Sequence, residues 1–231
     1  MILNHTSYSI SASDGIKLFI RDYSLQNSNK VILIIHGLGE HSGRYLKLIQ
    51  DFNDKNISVF TIDIRGHGKS EGKRGHSPFY QQLMNDIQCF IEHVTKKIPD
   101  QKYFLYGHSF GGNLVINYSF QENKKINGII ATSPLIKPSI APSRIVLFMG
   151  KLFKKIVPSL ILSNGINING ISRNMQVIND YINDPLIHNK VSVQLGLDII
   201  SSGIYALENS QYITVPMIVF HGKNDGLTSY S

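Results

Sequence analysis

YFLYGHSFGGNLVINYSF, residues 103–120, is the stretch from which the fold can be read. Its first four residues form an aromatic and apolar run of strand length. Its last nine, GNLVINYSF, carry helical character, and GHSFG at 107–111 joins the two. Glycines two residues either side of Ser109 remove side chains where strand and helix nearly touch. A crossover this sharp holds its central serine in a strained conformation, with the hydroxyl exposed at the end of a sheet. G-x-S-x-G arises by chance in many chains, and a Gly-rich turn with an incidental serine is the plainer alternative. The strand before it and the helix after it favour a nucleophile.

The flanking sequence repeats the strand–helix rhythm. Upstream, apolar alternation through Tyr8 and Ile10 turns at Asp14-Gly15 and resumes at Ile16, Leu18 and Ile20, a hairpin signature. VILII at 31–35 is a short unbroken apolar run closed by His36-Gly37, as expected of a strand buried on both faces. Tyr45 to Phe52 has helical spacing, and Ile57 to Ile62 reads as a strand. Residues 78–97 place Leu83, Ile87, Phe90, Ile91 and Val94 on one helical face, with Pro78 near the start. Further strands are expected at Gly128 to Ala131 and Pro216 to His221. Such alternation predicts an α/β fold with a mostly parallel sheet. Between Pro134 and about Leu197 no clear strand is legible, and the apolar-basic stretch 145–162 (IVLFMGKLFKKIVPSLIL) suggests an inserted helical cap.

Composition narrows the classes. The 231 residues are 42% apolar and 17% charged, too apolar for a disordered chain. Cys89 is the single cysteine, which rules out a disulfide scaffold and makes a reducing, cytoplasmic setting the expectation. MILNHTSYSI at the start lacks the pattern of a secretory signal, and no apolar run reaches the length of a membrane span. The net charge of +7 is spread without a tight Lys/Arg block, so it reads as a solvated basic exterior and not as a nucleic-acid site.

A serine hydroxyl attacks a carbonyl only when a base takes its proton and donors await the oxyanion. Phe110 offers a backbone N–H at the start of the following helix. Leu38, in the loop after VILII, is the candidate for the second. Asp225 follows the strand PMIVFH, where catalytic groups gather at the carboxyl ends of parallel strands, and is the candidate acid. Asp63, which precedes the serine, is read as part of a structural turn. His36, His41, His67 and His108 lie in or beside tight loops and are read as structural. No histidine follows Asp225, and His221 precedes it at the end of its strand, pointing into packing or the loop.

Seven motifs occur in order: HGLGEHSGRY (36–45), DIRGHGKSEG (63–72), GHSFGG (107–112), SPL (133–135), SRN (172–174), NDPL (183–186) and HGKNDGL (221–227). Together they resemble the monoglyceride lipase family of α/β-hydrolases, also described as lysophospholipases or serine-aminopeptidase-like hydrolases. The resemblance implies an α/β-hydrolase fold and an acyl-enzyme on Ser109. It makes Asp225 the acid and the N–H groups of Leu38 and Phe110 the oxyanion donors, with no cofactor and no metal. It divides the chain into core residues 1–136, a cap or lid at 137–197, and core residues 198–231. The family's catalytic histidine, last strand and last helix have no counterpart here, so a fragment is expected in preference to an inactive homologue.

The implied substrate is a monoacylglycerol or lysophospholipid. Residues 137–197 hold seven basic residues (Lys137, Arg144, Lys151, Lys154, Lys155, Arg173 and Lys190) against Asp180 and Asp184. That balance suits a membrane surface or an anionic lipid better than a cationic amine. Within 145–162 the apolar stripe either packs on the core or lies at a lipid surface, and both can hold. Two other readings stay open: an aminopeptidase-type serine hydrolase, and a hydrolase-like protein without activity.

Overall fold

The computed structural model describes residues 5–121 and 125–229; the outer ends of the expected core segments, 1–4 and 230–231, lie outside them. A hairpin of β1 (Thr6–Ser11) and β2 (Lys17–Tyr23) leads into β3 (Lys30–Ile35), α1 (Leu46–Asn53), β4 (Ser58–Ile62) and α2 (Tyr80–Lys97). Then come β5 (Lys102–His108), α3 (Phe110–Tyr118) and β6 (Ile126–Thr132). The segment that follows holds α4 (Arg144–Ile156), β7 (Ile161–Ser163), α5 (Met175–Asn183) and β8 (Lys190–Ser192). The chain returns to the core through α6 (Val193–Glu208) and β9 (Met217–Phe220).

The main sheet has the order β1-β2-β4-β3-β5-β6-β9. The hairpin and its junction with β4 are antiparallel, and every pairing from β4 to β9 is parallel. β3 explains why its sequence is unbroken and apolar. Val31, Leu33 and Ile35 join the core layer formed with α2, α3 and α6, while Ile32 and Ile34 join the layer under α1 around Ile49. Both faces of the strand are therefore dry. Each such side chain contributes about 1.5–3 kcal/mol by leaving water. At the far edge β9 pairs with β6 alone among the described strands, and Ile218, Val219 and Phe220 are exposed.

The hairpin turn is tied down from within. Arg65, 2% exposed, donates from Nε and Nη2 to the two oxygens of Asp86 at 2.5 and 2.7 Å, and from Nη1 to Asp14 at 2.8 Å. One buried guanidinium thus joins the Asp14-Gly15 turn to α2.

One expectation for the segment after β6 needs correction. The segment contains strands: β7 and β8 form a separate antiparallel ribbon, with Ile161 opposite Ser192 and Ser163 opposite Lys190. Each has three residues, too short for periodicity to show. The stretch 145–162 is not one element, because α4 stops at Ile156, just before Pro158, which has no N–H to continue a helix. The boundary at 197/198 falls inside α6, whose start is set by Ser192 accepting from the Leu195 N–H. The segment is fastened to core loops at its base: His188 N–H donates to Gly39 O, Ser192 N–H to Gly75 O, and His41 Nε2 lies 2.8 Å from Asp184 Oδ2.

Candidate active site at the ends of β3, β5 and β9

β3 is followed by β4 on one side and, after α2, by β5 on the other. The chain thus reverses direction across the sheet between β3 and β5. Loops leaving a parallel sheet at such a point diverge and open a crevice at the strands' carboxyl ends. Gly37 and Leu38 leave β3 into this crevice, and Ser109 leaves β5.

Ser109 has φ 52° and ψ −114°, a left-handed backbone on a residue with a side chain. Strain of this kind costs about 1–3 kcal/mol and persists only where neighbours over-determine it. Here they do. Ser109 N–H donates to Thr132 O, and its carbonyl accepts from Asn113 N–H and Leu135 N–H at 2.9–3.0 Å. Gly107 lies so close to α3 that a β-carbon there would stand 2.2 Å from the Gly111 carbonyl oxygen.

Among the described residues, no backbone carbonyl of a turn or loop accepts from the N–H of Leu38 or of Phe110. Phe110 opens α3, so its N–H is one of the unsatisfied donors at the positive end of the helix dipole. The loop carrying Leu38 is braced from below by His36, fully buried. His36 Nδ1 donates to Gly37 O at 2.8 Å and Nε2 accepts from Ile64 N–H at 2.9 Å. Burial lowers its pKa, which keeps the ring neutral, as this pattern of one donor and one acceptor needs.

Asp225 lies in the turn after β9. Its Oδ1 accepts from Leu227 N–H at 2.9 Å and Thr228 N–H at 3.0 Å, and its Oδ2 from the Thr228 hydroxyl at 2.9 Å. Burial pushes its pKa up, but these bonds, with one from the Ser133 hydroxyl, outweigh burial and hold it below the ordinary carboxylate value. His221 Nε2 stands 3.5 Å from Asp225 Oδ2 and contacts the Thr228 hydroxyl.

A cavity of about 560 Å³ brings Leu38, Ser109 and Asp225 onto one wall system, with Glu40, Arg44 and Tyr181 on its polar side. A second cavity of about 400 Å³ also begins at Leu38 and Ser109. It runs among Leu135, Ile136, Val191, Ile199 and Ile200, an apolar set. Ser109 sits where the two meet. The cations of the polar side are paired, Arg44 with Glu40 and Lys47 with Asp51.

The other residues considered from sequence lie outside the reacting group. His108 reaches the rim of the first cavity, but its Nδ1 is 3.0 Å from Thr132 Oγ1. His67 is buried and packs against His188, the two tilted rings 4.7 Å apart. Asp63 is fully buried, accepting from Ser42, Arg21 and the Lys69 N–H. Glu40, Arg44, Tyr181 and Thr228 were missed. Glu40 and Arg44 stand within the first motif, which was the available signal for them; Tyr181 and Thr228 lie outside the motifs.

A parallel sheet with this reversal, a strained serine after its central strand and two free N–H groups beside it define an α/β-hydrolase of the serine type. The chain belongs to the family described as serine aminopeptidase, S33, which matches residues 26–231. It is 32% identical over 219 residues to the monoglyceride lipase of Rattus norvegicus, covering 93% of this chain and 72% of that protein. It is 38% identical over 198 residues to an uncharacterized abhydrolase domain-containing protein of Dictyostelium discoideum. That match takes in 85% of this chain and spans only 21% of that protein. Among solved structures it resembles the monoacylglycerol lipase of Paleococcus ferrophilus, with TM-score 0.77 and 34% identity over 96% of this chain and 78% of the other.

Proposed function

We propose that this protein is a carboxylic ester hydrolase acting on a monoacylglycerol or lysophospholipid. Ser109 is the nucleophile, Asp225 the acid that orients a base, and the N–H groups of Leu38 and Phe110 the oxyanion donors. The carrying observation is the place of Ser109 at the junction of an apolar cavity and one with a polar side. An acyl chain lies along Ile136, Val191 and Ile199, and the alcohol half lies toward Glu40 and Arg44. The ester carbonyl is then held over Ser109. Given a base beside Asp225 to take the Oγ proton and return it to the leaving alcohol, attack by Oγ on the carbonyl carbon would move charge to the carbonyl oxygen, where the two amides receive it. Release of the alcohol leaves an acyl-enzyme, and water frees the fatty acid. Among the described residues no imidazole bridges Ser109 and Asp225, and proton transfer from Ser109 needs one.

Because Arg44 and Lys47 are each matched by a carboxylate, the polar side favours an uncharged polyol over a free anion or amine. That pairing also weighs against the aminopeptidase reading, which needs carboxylates free to hold an α-ammonium. The test is labelling of Ser109 by an alkyl fluorophosphonate, together with release of fatty acid from a monoacylglycerol and from an amino-acyl amide. Ser109→Ala must abolish both labelling and ester release. Turnover of the amide with inertness toward the ester reverses the assignment.

Residues from 137 to the start of α6 act as the lid and as a membrane contact. No residue of α4 is buried, and Ile145, Phe148 and Ile156 are exposed beside Lys151 and Lys155. No helix of the described residues is long and apolar enough to cross a bilayer, so the contact is peripheral. Sedimentation with vesicles of anionic lipid reads it: Phe148→Glu must lower the bound fraction. Cys89, the lone thiol, fits a cytoplasmic setting.

A further inference from the structure

The loop leaving β3 presents consecutive amides, and only some of them can face the serine. Gly37 lies close to it: a β-carbon on Gly37 would stand 3.3 Å from Ser109 Cβ. Its N–H does not serve the crevice, because it donates to Glu40 Oε1 at 2.7 Å. The same oxygen accepts from the Tyr45 hydroxyl at 2.7 Å. The other oxygen faces Arg44 Nε at 3.4 Å, and both side chains of that pair are mostly buried. Gly39, at φ +78°, lets the chain double back so that residue 40 reaches residue 37.

From this geometry we infer that Glu40 is a positioning residue, whose carboxylate takes up the Gly37 N–H and so leaves the Leu38 N–H as the amide this loop presents to an oxyanion on the Ser109 adduct. The inference rests on the reading of Ser109 as nucleophile. Three features support it. The carboxylate joins the first and last residues of the tight loop and anchors both to Tyr45, at the foot of α1. Burial and the Glu40 charge push the Tyr45 phenol well above its ordinary pKa, so it stays a donor. Arg44 offsets a negative charge that would otherwise oppose an oxyanion nearby. Neither Glu40 nor Arg44 needs to touch the reacting atoms for this.

An oxyanion donor acts in the transition state and hardly in the ground state, so loss of alignment shows in kcat and not in KM. Glu40→Ala removes the acceptor. Glu40→Asp keeps the charge but withdraws the oxygens by one methylene. Glu40→Gln keeps an oxygen that can accept from both Gly37 and Tyr45. The assay, on the full chain, measures kcat and KM for a medium-chain monoacylglycerol. It also measures affinity for an alkyl boronic acid, whose adduct on Ser109 places an anionic oxygen at the donors, and amide hydrogen exchange at Gly37 and Leu38.

The expected result is a loss of about ten- to a hundredfold in kcat for Glu40→Ala and Glu40→Asp, with a parallel loss in boronate affinity and little change in KM. Gly37 exchange should accelerate in both, whereas Glu40→Gln, which keeps the acceptor, should hold Gly37 exchange slow and recover most of the kcat and boronate affinity lost in Glu40→Asp. Should Glu40→Ala fail to fold, the contrast between Glu40→Asp and Glu40→Gln decides. Unchanged kcat with unchanged boronate affinity overturns the inference, and so does unchanged Gly37 exchange in Glu40→Asp. A parent chain that neither turns over ester nor labels at Ser109 lacks the base that Ser109 needs, a result that bears on the hydrolase reading and not on Glu40. The exchange rates of Gly37 then still judge Glu40 by themselves.

Discussion

Gly111 rests on the backbone of β3: a β-carbon at this position would stand 2.1 Å from the Ile35 carbonyl oxygen and 2.6 Å from that of His36. The first turn of α3 is thereby pressed against the strand whose loop carries Leu38. The elbow and the loop of the proposed oxyanion donor Leu38 are one packed unit. Gly111→Ala must force backbone apart, so it is expected to cost about 3 kcal/mol in urea unfolding and to lower ester hydrolysis sharply. Parent-like values for both would show that the two loops adjust independently.

Strain at Ser109 has a measurable counterpart. Glycine adopts φ 52° freely, so Ser109→Gly should raise unfolding stability by about 1 kcal/mol while removing the proposed nucleophile. A protein no more stable than the parent in urea unfolding would mean that the neighbours impose no strain on the serine.

Asp225 links the site to acid stability. Its folded pKa lies below the ordinary carboxylate value, so the unfolded chain binds the proton more readily. The stabilisation is therefore fully present above the unfolded pKa of about 4, and it fades as pH falls through the lower folded value. Thr228→Val removes the hydroxyl that donates to Oδ2, so the folded pKa should rise. Carboxyl titration by NMR should place it closer to the ordinary value. The stability profile below pH 4 should also flatten relative to the parent.

Arg65 is the buried charge on which the hairpin and α2 depend. Arg65→Met leaves Asp86, 4% exposed, without its partner in the core. A loss of about 3–5 kcal/mol in unfolding free energy is expected. Replacing Arg65 and Asp86 together by apolar residues should recover much of it, which a double-mutant cycle measures.

The elbow was legible because its causes are local. The strand, the turn and the helix occupy eighteen consecutive residues, 103–120, and the glycines that permit their contact lie within five of them. β3 was legible for the same reason, since burial on both faces leaves no polar position in VILII. The ribbon of β7 and β8 was not, because Ile161 meets Ser192 across most of the cap and neither three-residue strand has a period of its own. Thr228 lacked any signal of its own, since a threonine three residues after an aspartate is ordinary until the turn brings its hydroxyl to that carboxylate.

Spacing along the chain determined the alternating α/β order, the sharp joint at Ser109 and the candidacy of Leu38, Phe110 and Asp225, because each depends on neighbours within one turn or one strand. Tertiary structure alone decided that residues 109 and 225, separated by the whole cap and α6, share a cavity, and that Glu40 binds the Gly37 amide. Those relations depend on how β3, β5 and β9 are ordered in the sheet and on where a loop doubles back. Strand order and loop reversal are set by contacts among distant residues, which periodicity cannot record.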